Sequence, residues 1–234
     1  MVSEVTNMIG QDHDASDANV PGVNGKHAVH VRLIRPGEGA AAVAVAAAAG
    51  APGTFSGSPL EAALDQFGGY VPFADLRGAH GWCFGAFSDD RLVGVVYACS
   101  PVNFIRSFRP EHHAHLIQTL IEIEILAVDD GSRGCGAGTA LLSHAEQHFR
   151  ELGLQLIVAK IDATDKQVML WYRHRGYTLA RNGESCFINT PEGPAGINAG
   201  PVDGEWRLAA KAPHASIVRR TSGLWLNRVD GQAS

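Results

Sequence analysis

Residues 121–142 read IEIEILAVDDGSRGCGAGTALL. From Ile121 to Val128 the apolar residues alternate with Glu122 and Glu124, a period of two that predicts a strand with three isoleucines on one face and both glutamates on the other. A glycine-rich turn follows, and then apolar residues recur at helical spacing until Gly153: Leu141, Leu142, Ala145, Phe149 and Leu152. This stretch predicts a strand, a turn and an amphipathic helix.

The next apolar run, Leu154 to Ile161, predicts a buried strand, so the strand, helix and strand form a crossover unit whose two strands are parallel. Other segments carry strand or helix patterns with clear boundaries. They are a strand in 27–34, helices at 40–49, 59–67 (capped by Ser58) and 166–174, a hairpin of 82–87 with 92–98, and a short strand starting in 177–180.

Residues 1–26 are expected to be a disordered extension, and 27–234 to form a single domain. Residues 101–119 predict a loop or a helix, and their histidines are interpreted as structural rather than as metal ligands: His112, His113 and His115. Toward the end of the chain, Asn182 and Gly183 could turn a hairpin, and 216–229 could equally supply the last strand. Both alternatives stay open.

Charge and composition narrow the classes of partner. The 234 residues carry 19 basic and 24 acidic side chains, a net charge of −5, without a basic run that would bind nucleic acid or an anionic membrane. The longest apolar run, Ala40–Ala49, is too short to cross a bilayer. Four cysteines without CxxC spacing favour a reducing cytoplasm: Cys83, Cys99, Cys135 and Cys186.

The turn at Arg133–Thr139 has the chemistry of an anion site. Glycines let several N–H groups converge, and the start of the following helix adds unpaired N–H donors and positive dipole. A tight turn without any ligand is the plain alternative. Two other phosphate motifs do not fit, because Thr139 occupies the third glycine position of a dinucleotide fingerprint and no Gly-Lys-Ser/Thr follows.

These residues resemble the GNAT superfamily of N-acetyltransferases. The signature Arg/Gln-x-x-Gly-x-Gly/Ala is matched by Arg133, Gly136 and Gly138, and the second family motif is similar to 170–177, with Leu170, Trp171, Tyr172, Gly176 and Tyr177. The resemblance covers about 29–180, is strongest over 121–177, and is weak after residue 181. It implies an α/β (α+β) fold with a mixed, mostly antiparallel central sheet flanked by helices and a parallel strand pair splayed at the cofactor site.

The resemblance also implies acetyl-CoA as the acyl donor. Main-chain groups near Leu126, Ala127 and Val128 would contact the pantetheine arm and thioester. The N–H groups of the turn would receive the pyrophosphate, through Arg133, Gly134, Cys135, Gly136, Ala137, Gly138 and Thr139. Asp165 stands where family members often carry Asn; a carboxylate there can accept but not donate a hydrogen bond. A Cys135 nucleophile is a weak alternative, because no His or Asp spacing offers it a partner.

Acyl transfer to an amine needs a base for the nucleophile and an acid for the leaving thiolate. Glu122, acting through water, is the predicted base, with Glu124 as the second carboxylate, and Tyr172 matches the family's general acid. The alternatives are that the glutamates face solvent or hold a cationic substrate, and that Tyr172 is a core residue.

The sequence therefore predicts direct acetyl transfer from acetyl-CoA to a primary amine in a ternary complex, without a metal. A non-catalytic acyl-CoA-binding module is the main alternative, and a dinucleotide oxidoreductase a distant one. The acceptor, a small molecule or a peptide, and the acyl chain length are not specified by the sequence. A homodimer is an expectation from the resemblance alone.

Overall fold

The computed structural model describes residues 18–20, 29–50, 59–190, 193–197 and 205–227. The described strands are β1 Ala18–Val20, β2 Val29–Leu33, β3 Tyr70–Pro72, β4 His80–Ser88, β5 Arg91–Cys99, β6 Leu120–Val128, β7 Leu156–Asp162, β8 Thr178–Leu179, β9 Cys186–Thr190, β10 Gly193–Ile197, β11 Trp206–Lys211, β12 Ser216–Arg220 and β13 Gly223–Asn227. The helices are α1 Gly39–Ala48, α2 Pro59–Phe67, α3 Val102–Arg106, α4 Pro110–Thr119, α5 Ala137–Glu151 and α6 Lys166–His174, with a 3-10 turn at Asp130–Ser132.

The main sheet has the strand order β1-β2-β4-β5-β6-β7-β11-β8, with β3 paired to β4. Within the described residues its neighbours are antiparallel except β6 and β7, which run parallel and are joined by α5. The predicted mixed, mostly antiparallel sheet with one parallel crossover is confirmed. A second, smaller sheet has the order β10-β9-β13-β12.

Helices cover both faces of the main sheet because its strands are apolar on both sides. On one face α5 buries Leu141 and Phe149 against Phe84 and Ile157, each fully buried. On the other face α1 and α2 bury Val43 and other apolar side chains against β4 and β5. The parallel pair therefore lies in the middle of the molecule, where its register is held by packing on either side.

The parallel strands separate part of the way along their length. Their pairing runs from Leu120 opposite Leu156 to Ile123 opposite Ala159. Beyond this point β6 continues to Val128 and β7 to Asp162 without pairing to each other. The two strands are thus splayed at their C-terminal ends, as the family resemblance implied.

A β-bulge lies where the splay begins. On β5, Tyr97 is opposite Ile125 but the next residue, Ala98, is opposite Ile123, which leaves Glu124 as the extra residue of β6. The prediction that three isoleucines share one face is therefore wrong. Ile121 and Ile123 pack under α5, whereas Ile125 packs on the α1 face, because one inserted residue reverses the alternation.

The predicted element boundaries hold for most of the chain, and α6 spans the residues expected. Within the segment 1–26 that the sequence predicts to be disordered, Ala18–Val20 pair with β2; the rest of that segment and the proposed Ser58 cap lie outside the described residues. Residues 101–119 form α3 and α4. His113 and His115 in α4 each contact a main-chain carbonyl, at 2.9 and 3.3 Å. Among the described side chains there is no cluster suited to a metal ion.

The C-terminal part differs from both alternatives left open. Residues 182–183 do not turn a hairpin, since β8 lies in the main sheet and β9 in the second. Residues 216–220 and 223–227 pair with each other in the second sheet, and the strand that completes the main sheet is β11, inserted between β7 and β8. In the parts of the chain described, no helix is long and apolar enough to cross a membrane.

Candidate active site

A cleft of about 920 Å³ opens where β6 and β7 separate. Its walls are the open half of β6, the end of β7, the turn before α5, and one side of α6. Ten of the eleven predicted cofactor positions line it: Leu126, Ala127, Val128, Arg133, Gly134, Gly136, Ala137, Gly138, Thr139 and Asp165. The splay therefore brings into one cavity residues as far apart in the sequence as Leu126 and Asp165.

The turn before α5 presents main-chain donors to this cleft. Gly134 and Gly136 have φ of 77° and 93°, a left-handed conformation that favours glycine, and a Cβ at either would meet nothing within 4 Å. Gly136 caps α5, and the first bond along the helix runs from the Ala140 N–H to the Gly136 carbonyl. The four preceding N–H groups, from Gly136 to Thr139, have no acceptor among the described residues. Open amides at a helix start fit a bound pyrophosphate.

Two side chains of this turn have local partners. Arg133 forms an ion pair with Asp130 at 2.8 Å and is mostly exposed, so its guanidinium lies at the rim of the cleft. Cys135 is the one predicted cofactor residue that does not line the cleft. Its thiol donates to the Ser132 carbonyl at 2.7 Å and packs against the core, so the structure gives no support to a Cys135 nucleophile.

Sequence reasoning missed a cationic side chain on α6. The Arg175 guanidinium stacks 3.5 Å from the Trp171 ring centre, donates to the Trp171 carbonyl at 3.0 Å, and donates to the Thr139 hydroxyl at the start of α5. Burial lowers the pKa of Arg175, and its Nε is buried without a hydrogen-bond partner in the described part of the chain. The signal was present, since Trp171 and Arg175 are four residues apart, the spacing at which two side chains meet on a helix.

Asp165, where the family often has Asn, caps α6. Its carboxylate accepts from the Val168 N–H at 2.9 Å, which is the bond expected of an N-cap side chain. Asp165 also lines the cleft. Although the family often has Asn here, the Asp carboxylate still holds the start of α6 in place. An Asp here adds a negative charge to the part of the cleft between β7 and α6.

The bulge separates the two predicted carboxylates. Glu124 lines the cleft, whereas Glu122 does not and forms a 2.7 Å ion pair with Lys160 of β7. Glu124 is an exposed residue of the open cleft, yet protein atoms around its carboxylate displace part of the water and so raise its pKa; a hydrogen bond from Cys99 opposes this shift, the charge of Glu122 adds to it, and Lys160 opposes it. Glu124 is the carboxylate whose position and pKa suit proton transfer in the cleft.

Tyr172 lies across the cleft from β6 with 5% of its surface exposed. Burial, with a smaller effect of the Glu146 charge, raises the pKa of its phenol, and Arg175 opposes this shift. The ring packs edge-on against Trp171 and Tyr177, at centroid distances of 5.1 and 4.9 Å. A phenol held in this way stays protonated at neutral pH and can donate a proton into the cleft.

A family model described as the acetyltransferase (GNAT) family matches residues 53–177, which is more than half of the chain and includes the cleft, the turn and α6. The chain belongs to the GNAT acetyltransferase family. The matched range ends at Tyr177, so the second sheet and β11 lie outside the part that the GNAT model recognises.

Solved structures show the same fold. The GNAT domain of S. lividans PAT superposes with a TM-score of 0.51 at 15% identity, covering 84% of this chain and 96% of that domain. A probable acetyltransferase from Staphylococcus epidermidis gives a TM-score of 0.51 at 11% identity, covering 79% and 98%. No curated protein matches the sequence. At these identities the likeness shows the GNAT fold alone.

Proposed function

We propose that the protein transfers an acetyl group from acetyl-CoA directly to a primary amine within a ternary complex. The observation that carries the proposal is a single cleft that contains the open amides at the start of α5, the Glu124 carboxylate and the Tyr172 phenol. The amides and Arg175 would hold the pyrophosphate, and the free main-chain edge of β6 from Leu126 to Val128 would bind the pantetheine arm.

The two ionisable groups fit the two proton transfers that the reaction needs. Glu124 would accept a proton from the acceptor ammonium, which gives the nitrogen a lone pair for attack on the thioester carbon. As the carbon–sulfur bond breaks, Tyr172 would donate its proton to the leaving sulfur and recover one from solvent. The high pKa of Tyr172 keeps the donor protonated, and the raised pKa of Glu124 makes it a stronger base.

The geometry moves the proposed base from Glu122 to Glu124. The Glu122 side chain is 11% exposed and is held by Lys160, so it is better suited to keeping Lys160 in place on β7. With Lys160 paired in this way, the acidic side chains of the cleft are available to an amine, and they include Asp162 and Asp165. A cationic acceptor is the class that this charge favours.

Two further observations bear on the cellular location of the protein and on its acceptor. All four cysteines are free, which supports the proposal of a reducing cytoplasm. The end of α1, at Ala49 and Gly50, lines the cleft beside the open half of β6 and would contribute to the choice of acceptor. The acceptor is accordingly proposed as a primary amine on a small molecule or a peptide.

The test measures free thiol released from acetyl-CoA in the presence of a panel of primary amines, together with calorimetric binding of coenzyme A. The wild type should bind coenzyme A and release thiol only when an amine is present. Binding without amine-dependent release from any amine class would favour an acyl-CoA-binding module, and no binding at all would refute the proposal.

Two variants separate binding from chemistry in this test. Gly136→Val forces a branched side chain into a left-handed conformation at the cradle, so coenzyme A affinity should fall about a hundredfold or more. Tyr172→Phe keeps the ring and removes the proton donor, so coenzyme A should bind as before while kcat falls about a hundredfold or more. Full turnover of Tyr172→Phe across the pH range would exclude the acid role.

A further inference from the structure

A second pocket, of about 410 Å³, lies at the edge of the main sheet beside β8, away from the residues that line the cleft. Four arginines contribute to its wall: Arg173, Arg181, Arg207 and Arg219. We call it the arginine pocket. Arg173 lies at the end of α6, Arg181 follows β8, Arg207 lies in β11 and Arg219 lies in β12. The fold therefore brings these arginines together from four separate segments.

Main-chain contacts hold these side chains at one point. Arg219 donates from Nη2 to the Leu179 carbonyl at 2.7 Å, and Arg207 donates from Nη1 to the Ala180 carbonyl at 3.5 Å. Arg181 is the next residue along the chain. Two guanidinium groups are therefore held on the consecutive carbonyls of Leu179 and Ala180, and Arg181 and Arg173 line the same pocket, an arrangement that the mutual repulsion of the charges opposes.

The positive charge of the pocket is only partly balanced. Glu184 pairs with Arg219, at 2.7 Å from Nε, and accepts a hydrogen bond from the Arg181 main-chain N–H. No carboxylate of the described residues pairs with the guanidinium groups of Arg173, Arg181 or Arg207, and the Arg207 Nε is buried with no hydrogen-bond partner there. A surplus of three positive charges gathers here in a chain whose net charge is −5.

We propose that the arginine pocket binds a small, multiply charged oxyanion, a phosphate or a polycarboxylate. Guanidinium groups donate paired hydrogen bonds that match the oxygens of both groups. A singly charged anion would leave two of the three surplus charges unbalanced, so the ligand carries at least two charges. The volume suits a small molecule rather than a macromolecular surface.

The site is distinct from the acetyl-CoA cleft. Arg173 follows Tyr172 directly on α6, but Arg173 lines the arginine pocket whereas Tyr172 lines the cleft. A ligand in the pocket would contact a different face of α6 from the one that lines the cleft. The proposal does not depend on acetyl transfer, because none of its residues belongs to the proposed catalytic machinery.

The test titrates inorganic pyrophosphate and, separately, citrate into the protein by calorimetry. Coenzyme A is present in excess, so that it occupies the cleft and the probes cannot bind there. The wild type should bind at least one probe. The double variant Arg173→Gln/Arg207→Gln should bind it about tenfold or more weakly, since charge-assisted hydrogen bonds are lost. Tighter binding of pyrophosphate assigns a phosphate ligand, and tighter binding of citrate a polycarboxylate.

Two controls keep the result decisive. Arg77→Gln/Arg109→Gln removes the same charge from exposed positions outside the pocket and should leave probe affinity unchanged. Arg181→Gln removes an exposed guanidinium for which no side-chain hydrogen bond or ion pair is seen within the described residues, so it should weaken binding without loss of folding. Failure of the wild type to bind either probe, or equal weakening in the control pair, would overturn the proposal.

Discussion

The two halves of β6 perform different tasks on one strand. From Leu120 to Ile123 the strand is paired to β7, with Glu122 and Ile123 also paired to β5, and its side chains are buried. From Ile125 to Val128 it is paired only to β5, and its other edge, together with the bulged Glu124, opens on the cleft. From this difference we expect the paired half to determine the stability of the fold and the open half to determine binding and catalysis. Substitutions can test this expectation.

The largest expected effect is on catalysis in the open half. Glu124→Gln keeps the size of the side chain but cannot accept a proton from the acceptor, so kcat should fall about 10²- to 10⁴-fold. The measurement is the rate of thiol release with a saturating acceptor. Beforehand, calorimetry should show that the variant and the wild type bind coenzyme A with equal affinity, which confirms that the site is intact.

Glu122→Gln is the matched variant two residues away in the paired half. It breaks the ion pair with Lys160, which is half exposed and stays hydrated, so unfolding should be easier by only about 1 kcal/mol. The loss of turnover should be much smaller than in Glu124→Gln. The reverse order would place the base at Glu122, as the sequence predicts.

The next largest effect is on stability in the paired half. Leu120 is fully buried opposite Leu156, so Leu120→Ala should lower the free energy of unfolding by about 2–5 kcal/mol, measured in urea. Coenzyme A affinity of the folded fraction should not change. Val168→Ala, at the partly exposed rim of the cleft, should change stability by less than about 0.5 kcal/mol. Similar losses in both variants would contradict the expectation that the paired half of β6 matters more for stability than the rim of the cleft.

A smaller effect is expected where α6 meets the start of α5. Arg175→Leu removes the cation beside the open amides, so the KM for acetyl-CoA should rise about tenfold with little change in kcat. Arg150→Leu, an exposed position on α5 outside the cleft, serves as the control for net charge. An unchanged KM in Arg175→Leu would remove Arg175 from the cofactor site.

The smallest effect is a pH dependence of stability. The pKa of Glu124 is raised in the folded protein above its ordinary value of 4.5, so the folded state holds this proton more tightly than the unfolded state. The stability contributed by Glu124 is therefore complete below about pH 4 and falls as pH rises through the folded pKa.

Melting curves of wild type and Glu124→Gln between pH 4 and pH 8 measure this difference. Gln does not titrate, so the variant should gain in melting temperature relative to wild type as pH rises and then level off. A constant difference across this range would show that the Glu124 carboxyl is not desolvated in the fold.

The parallel pair, α5 and the turn were predictable because their signals are local. Apolar spacing along 141–152 matches one face of a helix, and the glycines of 134–138 match a turn that only a left-handed backbone can make. The bulge was not predictable, since Ile121 to Ile125 alternate perfectly. The inserted residue becomes visible only through the partners that β5 supplies.

The C-terminal part was harder to predict for a different reason. The β11 segment WRLAAK has no strict alternation, because the strand is flanked by β7 and β8 in the sheet and packed on both faces. The partner strands of β11 lie far away in the sequence. The glycine- and proline-rich segment before β11 also gives no pattern that would indicate where the strand begins. The arginine pocket and the contact of Arg175 with Thr139 were missed because their partners become neighbours only after folding.

The insertion of β11 between β7 and β8 has a consequence for synthesis of the chain. Both of these strands leave the ribosome before their common partner, and until residue 211 has emerged each keeps an unpaired edge. Nascent chains of this protein thus pass through a stage with exposed strand edges that other chains can join. We expect truncations before Trp206 to aggregate during translation and to recruit chaperones.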